Sequence, residues 1–197
     1  MIENILKITN DILDSIDLSE YQKRRNSNGL PEHWFFMKSG KEHYRLLCHI
    51  SSLYDDVTFI DIGTWVGSSA LGLGYNKNNK VISFDIIRQQ RDTQGIMVNV
   101  DGIITDENIK FEIGNVLEYN KEVILNSPFM MLDTKHDGVF EQEFFDFLVK
   151  ENYNGIVLFD DIHLNSQMKN FWSNIELEKY DITNIGHWSG TGVVVFK

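Results

Sequence analysis

The chain carries a single cysteine, Cys48, in 197 residues, so no intrachain disulfide can form. That fits a reducing, cytosolic setting. Cys48 sits in the apolar run Tyr44-Arg45-Leu46-Leu47-Cys48-His49-Ile50 and reads as a buried, inert thiol in a core helix rather than a nucleophile. Positive charge is also scarce: 18 Lys and Arg against 29 Asp and Glu give a formal net charge of −11. Binding to nucleic acid needs clustered Lys and Arg, so no nucleic-acid partner is expected. The one basic cluster, Lys23-Arg24-Arg25, reads as a solvated turn. No run reaches the ~18 apolar residues of a membrane span. Met1-Ile2-Glu3-Asn4 lacks the basic start and continuous apolar stretch of a signal peptide. The expectation is a cytoplasmic protein with no membrane partner. Repeats, low-complexity tracts and linkers are missing too. Residues 1–197 are therefore expected to form one domain, with 1–37 as an N-terminal helical lid or extension. A chain of this length buries about 70% of its unfolded surface and needs no staple.

What is present is ordinary globular composition, 42% hydrophobic and 24% charged. Ile5, Ile8, Ile12 and Ile16 recur at helical spacing and predict a helix over 2–16. The segment Asn26-Ser27-Asn28-Gly29-Leu30-Pro31 reads as a loop, and 38–54 as a second helix. Strands are predicted at 57–61, 80–85, 109–113, 129–133, 155–160, 180–186 and 191–196, and helices at 67–76, 138–150 and 166–175. The stretch between Ile86 and Asn108 reads as a short helix and a loop. Such alternation predicts a parallel sheet flanked by helices. Only His187-Trp188-Ser189-Gly190 separates the last two strands, so these should pair antiparallel at the sheet edge.

The run from Val57 to Ala70 says most about function. Val57-Thr58-Phe59-Ile60-Asp61 is a buried strand ending on an acid, followed by Ile62-Gly63-Thr64-Trp65-Val66-Gly67 and the small-residue helix start Ser68-Ser69-Ala70. Strand, glycine turn and helix start together suit a nucleotide-like ligand, which can approach the bare backbone and the free N–H groups. A dinucleotide-binding G-x-G-x-x-G would need glycine at 63, 65 and 68, but Trp65 and Ser68 stand at the last two. The indole disfavours a nicotinamide oxidoreductase.

The observed D-x-G-x-x-x-G-x-S resembles instead the first motif of class I S-adenosylmethionine-dependent methyltransferases, closest to the catechol-type O-methyltransferases. The resemblance runs over about residues 38–197 and implies an α/β, Rossmann-like class I methyltransferase fold. That fold is a mostly parallel seven-stranded sheet with a C-terminal antiparallel hairpin, here preceded by N-terminal helices. The implied cofactor is S-adenosylmethionine. Its contacts are expected from Asp61, Gly63, Thr64, Trp65, Gly67 and Ser68, from Asp85 at the end of the second strand, from Asn115, and from Asp133. A carboxylate at Asp85 suits two ribose hydroxyls because it only accepts hydrogen bonds. Asn115 offers donor and acceptor to an adenine edge, or caps a turn beside Gly114.

Asp133, Asp160 and Asp161 end two predicted strands of the same sheet, whose C-termini share the ligand-binding edge. Three carboxylates that close repel unless a cation neutralises them, and oxygen ligands suit Mg²⁺. Catechol-type enzymes hold Mg²⁺ with Asp, Asp and Asn at these places. The macrocin-type sugar O-methyltransferases carry Asp at the third, as this chain does at Asp161. The bland alternative is three strand-end acids without an ion. Catechol-type enzymes also place a catalytic Lys three residues after the first metal ligand. Here that position is His136, with Lys135 one earlier, and either is a candidate base. Trp34, Phe35 and Trp188 either wall an acceptor pocket or pack the core. The resulting expectation is metal-assisted O-methylation of a small hydroxylated acceptor, sugar or phenol-like, with a homodimer compatible. The rivals are a metal-independent methyltransferase and a non-catalytic cofactor-binding module.

Overall fold

Runs such as Phe129-Met130-Met131-Leu132 show no polar alternation, and strands of that kind are stable only when both faces are covered. The computed structural model describes residues 1–27, 29–91 and 94–197. In it, β1 (Thr58–Ile62), β2 (Lys80–Asp85), β3 (Ile109–Ile113), β4 (Phe129–Leu132), β5 (Gly155–Asp160), β6 (Lys179–Asp181) and β7 (Thr191–Phe196) form one sheet. Their order across the sheet is β3-β2-β1-β4-β5-β7-β6. The first five run parallel, while β7 is antiparallel to β5 and to β6.

Alternate residues of each strand enter opposite layers. Phe59, Met131 and Leu158 share one apolar cluster with Ile5, Leu13, Tyr21, Phe35, Leu47, Leu71 and Val100. Those residues come from α1 (Ile2–Leu6), α2 (Asn10–Asp14), α3 (Ser19–Asn26), the 3₁₀ turn His33–Phe36, α4 (Tyr44–Ser52), α5 (Ser68–Leu73) and α6 (Val100–Ile103). Ile60, Met130 and Val157 point the other way, into a cluster with Ile124, Phe144, Met168 and Phe171. These come from α7 (Lys121–Leu125), α8 (Val139–Lys150) and α9 (Ser166–Asn174). The N-terminal helices thus share one core with the sheet.

Strand order reverses about β1, which pairs with β2 on one side and β4 on the other. In open α/β sheets the crevice at such a switch point is where ligands bind. Gly63 and Asp133 stand there, one residue past β1 and β4.

Several elements depart from expectation. The helix over 2–16 is two helices, because the Thr9 hydroxyl accepts from Ile12 N at 3.4 Å and starts α2 afresh. Lys23, Arg24 and Arg25 lie in the last turn of α3 rather than in a solvated turn, and Arg24 pairs with Asp106 at 2.8 Å. Asn28 of the expected loop lies outside the described residues. The second helix is shorter than 38–54 and begins at Tyr44. The stretch 86–108 holds a two-stranded hairpin, Gln89–Arg91 with Met97–Asn99, as well as α6; residues 92 and 93 of that stretch are outside the described residues. The strand expected at 180–186 ends at Asp181, whose side chain accepts from Thr183 N (3.1 Å) and Thr183 Oγ1 (2.6 Å) and folds the chain into a turn.

Candidate active site

The turn after β1 is shaped by contacts that only small residues permit. Gly63 has φ 99°, and a Cβ there would lie 1.6 Å from the Asp133 carbonyl oxygen. Gly67, at φ 83°, would collide with Ile104 and Val100. Backbone N–H groups of Gly63 and Thr64 both donate to Phe84 O, at 2.9 and 3.1 Å, tying the turn to β2. Beneath it lies Asp61, fully buried. Its Oδ2 accepts from Ser83 Oγ (2.6 Å) and Ser69 Oγ (3.0 Å), while Oδ1 has no partner. Burial raises its carboxyl to about 6 against the pull of those two hydroxyls. Thr64 Oγ1 joins the network through Ser83 at 2.6 Å. The Ser68 hydroxyl is buried without a partner.

Asp85 stands beside this turn with its carboxylate already engaged. It accepts from Trp65 N, Gln90 Nε2 and Ile87 N, each at 3.0 Å. A carboxylate has about four acceptor positions, so a ribose would share it or displace Gln90. The Trp65 indole donates to Arg91 O at 2.9 Å and packs on Trp34, ring centroids 5.8 Å apart. Asn115 uses its side-chain oxygen to cap the turn Val116–Glu118, accepting from Leu117 N at 3.0 Å.

At the ends of β4 and β5 the structure gathers Asp133, Asp160 and Asp161, and adds residues the sequence reading missed: Glu42, His43 and His187. Carboxylates and imidazoles alternate. His136 Nε2 lies 3.3 Å from both Asp133 and Asp161. His187 Nδ1 lies 3.0 Å from Asp160 and 3.3 Å from Asp161, with Nε2 3.6 Å from Glu42. His43 Nδ1 lies 3.4 Å from Asp160. Burial disfavours a charged Asp160, but His43 and His187 outweigh it and hold the carboxyl below its usual range. Desolvation opposes a charged His187, yet Asp160, Asp161 and Glu42 together push it up to about 10. Asp133 is driven upward by lost solvent and by Asp160.

The loop after β4 is pinned by Glu141, which accepts from Thr134 Oγ1 (2.7 Å) and His136 N (3.0 Å), and by Asn165, which donates to His136 O (2.8 Å). His136 therefore faces the cluster. Lys135 is 83% exposed, faces solvent and pairs with Asp137 at 3.5 Å. Trp65, His136 and Asp161 all have positive φ at this edge, an uncommon state for large side chains.

A recess of about 470 Å³ opens on the cluster, lined by Trp34, Met37, Lys41, Leu164 and Trp188, with Glu42, Asp161, His187 and Ser189 at its floor. Phe35, expected as a possible wall, is instead fully buried in the core.

Three overlapping sets in the cluster bring ligand atoms within 4.8 Å of one another: Glu42–His43–His187, His43–Asp133–Asp160 and Asp160–Asp161–His187. Asp160 Oδ1 and both His43 nitrogens are buried without hydrogen-bond partners. These residues fit a divalent cation.

No protein-family model matches the chain, and neither does any curated protein. Solved structures do. The methyltransferase PaMTH1 of Podospora anserina, bound to S-adenosylhomocysteine, is 13% identical with a TM-score of 0.58, covering 92% of this chain and 98% of that one. TomG of Streptomyces achromogenes, an O-methyltransferase of tomaymycin synthesis in complex with S-adenosylmethionine, is 15% identical with a TM-score of 0.58, covering 98% and 93%. A Bacillus cereus O-methyltransferase in complex with S-adenosylhomocysteine is 13% identical with a TM-score of 0.56, covering 100% and 95%. Identities this low establish the fold, and the fold is that of class I methyltransferases.

Proposed function

We propose that this chain is an S-adenosylmethionine-dependent O-methyltransferase of a small hydroxylated molecule, sugar or phenol-like, assisted by a divalent cation. One observation carries the reading. The Gly63 turn abuts Asp133 where strand order reverses, Asp160 and Asp161 stand at the end of the next strand, β5, and the aromatic recess opens on Asp161. Cofactor-bound structures of the same fold support it.

The turn would receive the cofactor at residues 63–67, with Asp61, Thr64, Trp65, Ser68, Asp85, Asn115 and Asp133 around it. The acceptor would lie between Trp34 and Trp188, whose ring faces suit the C–H face of a sugar or an aromatic ring. Asp133, Asp160 and Asp161 would hold a divalent cation, which when bound would lower the pKa of a nearby hydroxyl. His136 takes the acceptor proton at Nε2, which lies 3.3 Å from both Asp133 and Asp161. Lys135, directed to solvent, is a poor base by geometry and serves better to attract an acidic acceptor. Orientation by turn and recess aligns the attacking oxygen with the methyl carbon for in-line displacement.

A metal-independent reaction is the second reading. His43 and His187 already balance the charge of Asp160 without an ion. Among the described residues no helix is long and apolar enough to cross a membrane. A cytoplasmic, single-domain enzyme with a small-molecule partner and no nucleic acid belongs to the same proposal, with a homodimer compatible.

The test is release of S-adenosylhomocysteine on incubation with S-adenosylmethionine and a panel of sugar, catechol and phenol acceptors, with and without chelator. Turnover that chelator abolishes supports the proposal. Chelator-resistant turnover favours the second reading. Cofactor binding without turnover on any acceptor class makes the chain a binding module and overturns the proposal.

A further inference from the structure

Asp160 is the hub of the cluster, and what surrounds it is not oxygen alone. His187 Nδ1 approaches Asp160 at 3.0 Å and Asp161 at 3.3 Å, while its other nitrogen faces Glu42 at 3.6 Å. A carboxylate behind the far nitrogen is how a ligating histidine is usually oriented. From the interior comes His43, 1% exposed, whose Nδ1 lies 3.4 Å from Asp160 without a formed hydrogen bond and whose Nε2 has no partner. Asp160 Oδ1 is likewise buried and unpartnered. Buried polar atoms are nearly always hydrogen-bonded, so these point to a polar or charged group that belongs between them.

The spacing suits an ion. Donor atoms within 4.8 Å of one another need only small side-chain rotations to close on bonds of about 2.1 Å. Asp161 and His187 line the recess, so the outward side of such a centre faces the acceptor position. The Ser189 hydroxyl bonds Asp161 Oδ1 and lies 2.9 Å from His187 Nδ1, fixing both side chains together.

Donor type then selects the ion. Carboxylates and water suit Mg²⁺, which demands oxygen; imidazole suits first-row transition ions. We propose that Asp160, Asp161 and His187 Nδ1, which releases its proton to solvent as the ion binds, with His43 against Asp160 from the buried side, form a mixed nitrogen–oxygen site for a divalent transition ion of the Mn²⁺, Fe²⁺ or Co²⁺ class rather than for Mg²⁺. This rests on the reading of the cluster as a metal-assisted reaction centre and concerns which ion it takes.

The experiment uses the full chain, stripped with chelator and titrated separately with CoCl₂, MnCl₂ and MgCl₂ by calorimetry. The Mn²⁺ form is also examined by electron spin echo for ¹⁴N coupling. Co²⁺ and Mn²⁺ should bind at least about tenfold tighter than Mg²⁺, and ¹⁴N coupling should be present. His187→Gln should weaken Co²⁺ by about 10–100-fold and diminish the ¹⁴N signal, with Mg²⁺ affinity little changed. Glu42→Gln, which leaves every proposed ligand in place, should weaken Co²⁺ by about tenfold and guards against a His187 variant that fails to fold. S-adenosylhomocysteine is titrated into every sample. Mg²⁺ binding as tightly as Co²⁺ with no ¹⁴N coupling overturns the mixed site and leaves an oxygen-only centre. No ion bound at millimolar levels, with S-adenosylhomocysteine still bound, overturns it and favours the metal-independent reaction. Loss of both overturns this inference and the proposed function together.

Discussion

Gly63→Ala tests the geometry on which the site is built. At φ 99° an L side chain is strained, which costs about 1–2 kcal/mol. The larger effect is collision. The new methyl carbon would lie 1.6 Å from the Asp133 carbonyl oxygen and 2.6 Å from its carbonyl carbon. Carbon–oxygen contacts settle near ~3.3 Å, so the ends of β1 and β4 would have to part by about 1.5 Å or more. They are joined there by Asp133 N donating to Ile62 O at 2.9 Å, and losing that bond costs about 1 kcal/mol. Overpacking adds about 1–3 kcal/mol. The sum is about 3–6 kcal/mol, a large part of the ~5–15 kcal/mol that holds a domain together. Equilibrium urea unfolding followed by tryptophan fluorescence measures it. Gly95→Ala is the matched control: Gly95 also has positive φ, 78°, but no atom lies within 4 Å of the would-be Cβ. It should lose only the strain, about 1–2 kcal/mol. Equal losses in the two variants would refute the close approach of β1 to β4.

Three further outcomes are expected. Because burial lifts Asp61 to about 6 from the ordinary 3.8, the folded state holds its proton more tightly, so this group's contribution to stability falls as pH rises from about 4 to about 6. Unfolding free energies of Asp61→Asn and wild type should diverge over that window by about 3 kcal/mol in favour of the variant, and parallel profiles would contradict the burial argument. His136→Gln should cut kcat by roughly 10²–10⁴-fold and flatten the pH–rate profile, while Lys135→Met should matter far less; the reverse ranking would make Lys135 the base. Asp85→Ala should weaken S-adenosylhomocysteine by about 1.5–3 kcal/mol in calorimetry, through lost ribose contacts and a freed Trp65 N–H, and equal affinity would remove Asp85 from the site.

The parallel strands β4 and β5 were legible because each is an apolar run ending at an aspartate, and β1, β2 and β3 because β-branched and aromatic residues recur through them between turn signals. The three aspartates were legible because strand ends converge on one edge. The amino-terminal helices were harder. The isoleucine spacing runs straight through Lys7-Ile8-Thr9, and periodicity does not register that a Thr9 cap restarts the helix. Helix α3 offers only Tyr21 to the core, too little for a hydrophobic stripe. The hairpin between β2 and β3 pairs Gln and Arg residues whose strand conformation is set by contacts to Asp85 and Trp65, not by local propensity. Half of the cluster was also hidden. Glu42 and His43 precede α4, and His187 lies in the loop before β7. Only the packing of the amino-terminal segment against the late hairpin brings them together, for example through Trp188 N donating to Lys41 O at 3.4 Å. A buried histidine whose partners lie far along the chain has no local sequence signature.

The whole reading stands or falls on whether the 63–67 turn receives S-adenosylmethionine. Calorimetric titration of S-adenosylhomocysteine into the wild-type chain, beside a parallel titration of NAD⁺, tests it most directly. One saturable site for S-adenosylhomocysteine and no heat from NAD⁺ is the predicted result. Saturable binding of NAD⁺, or silence from both ligands at millimolar concentration, would contradict it.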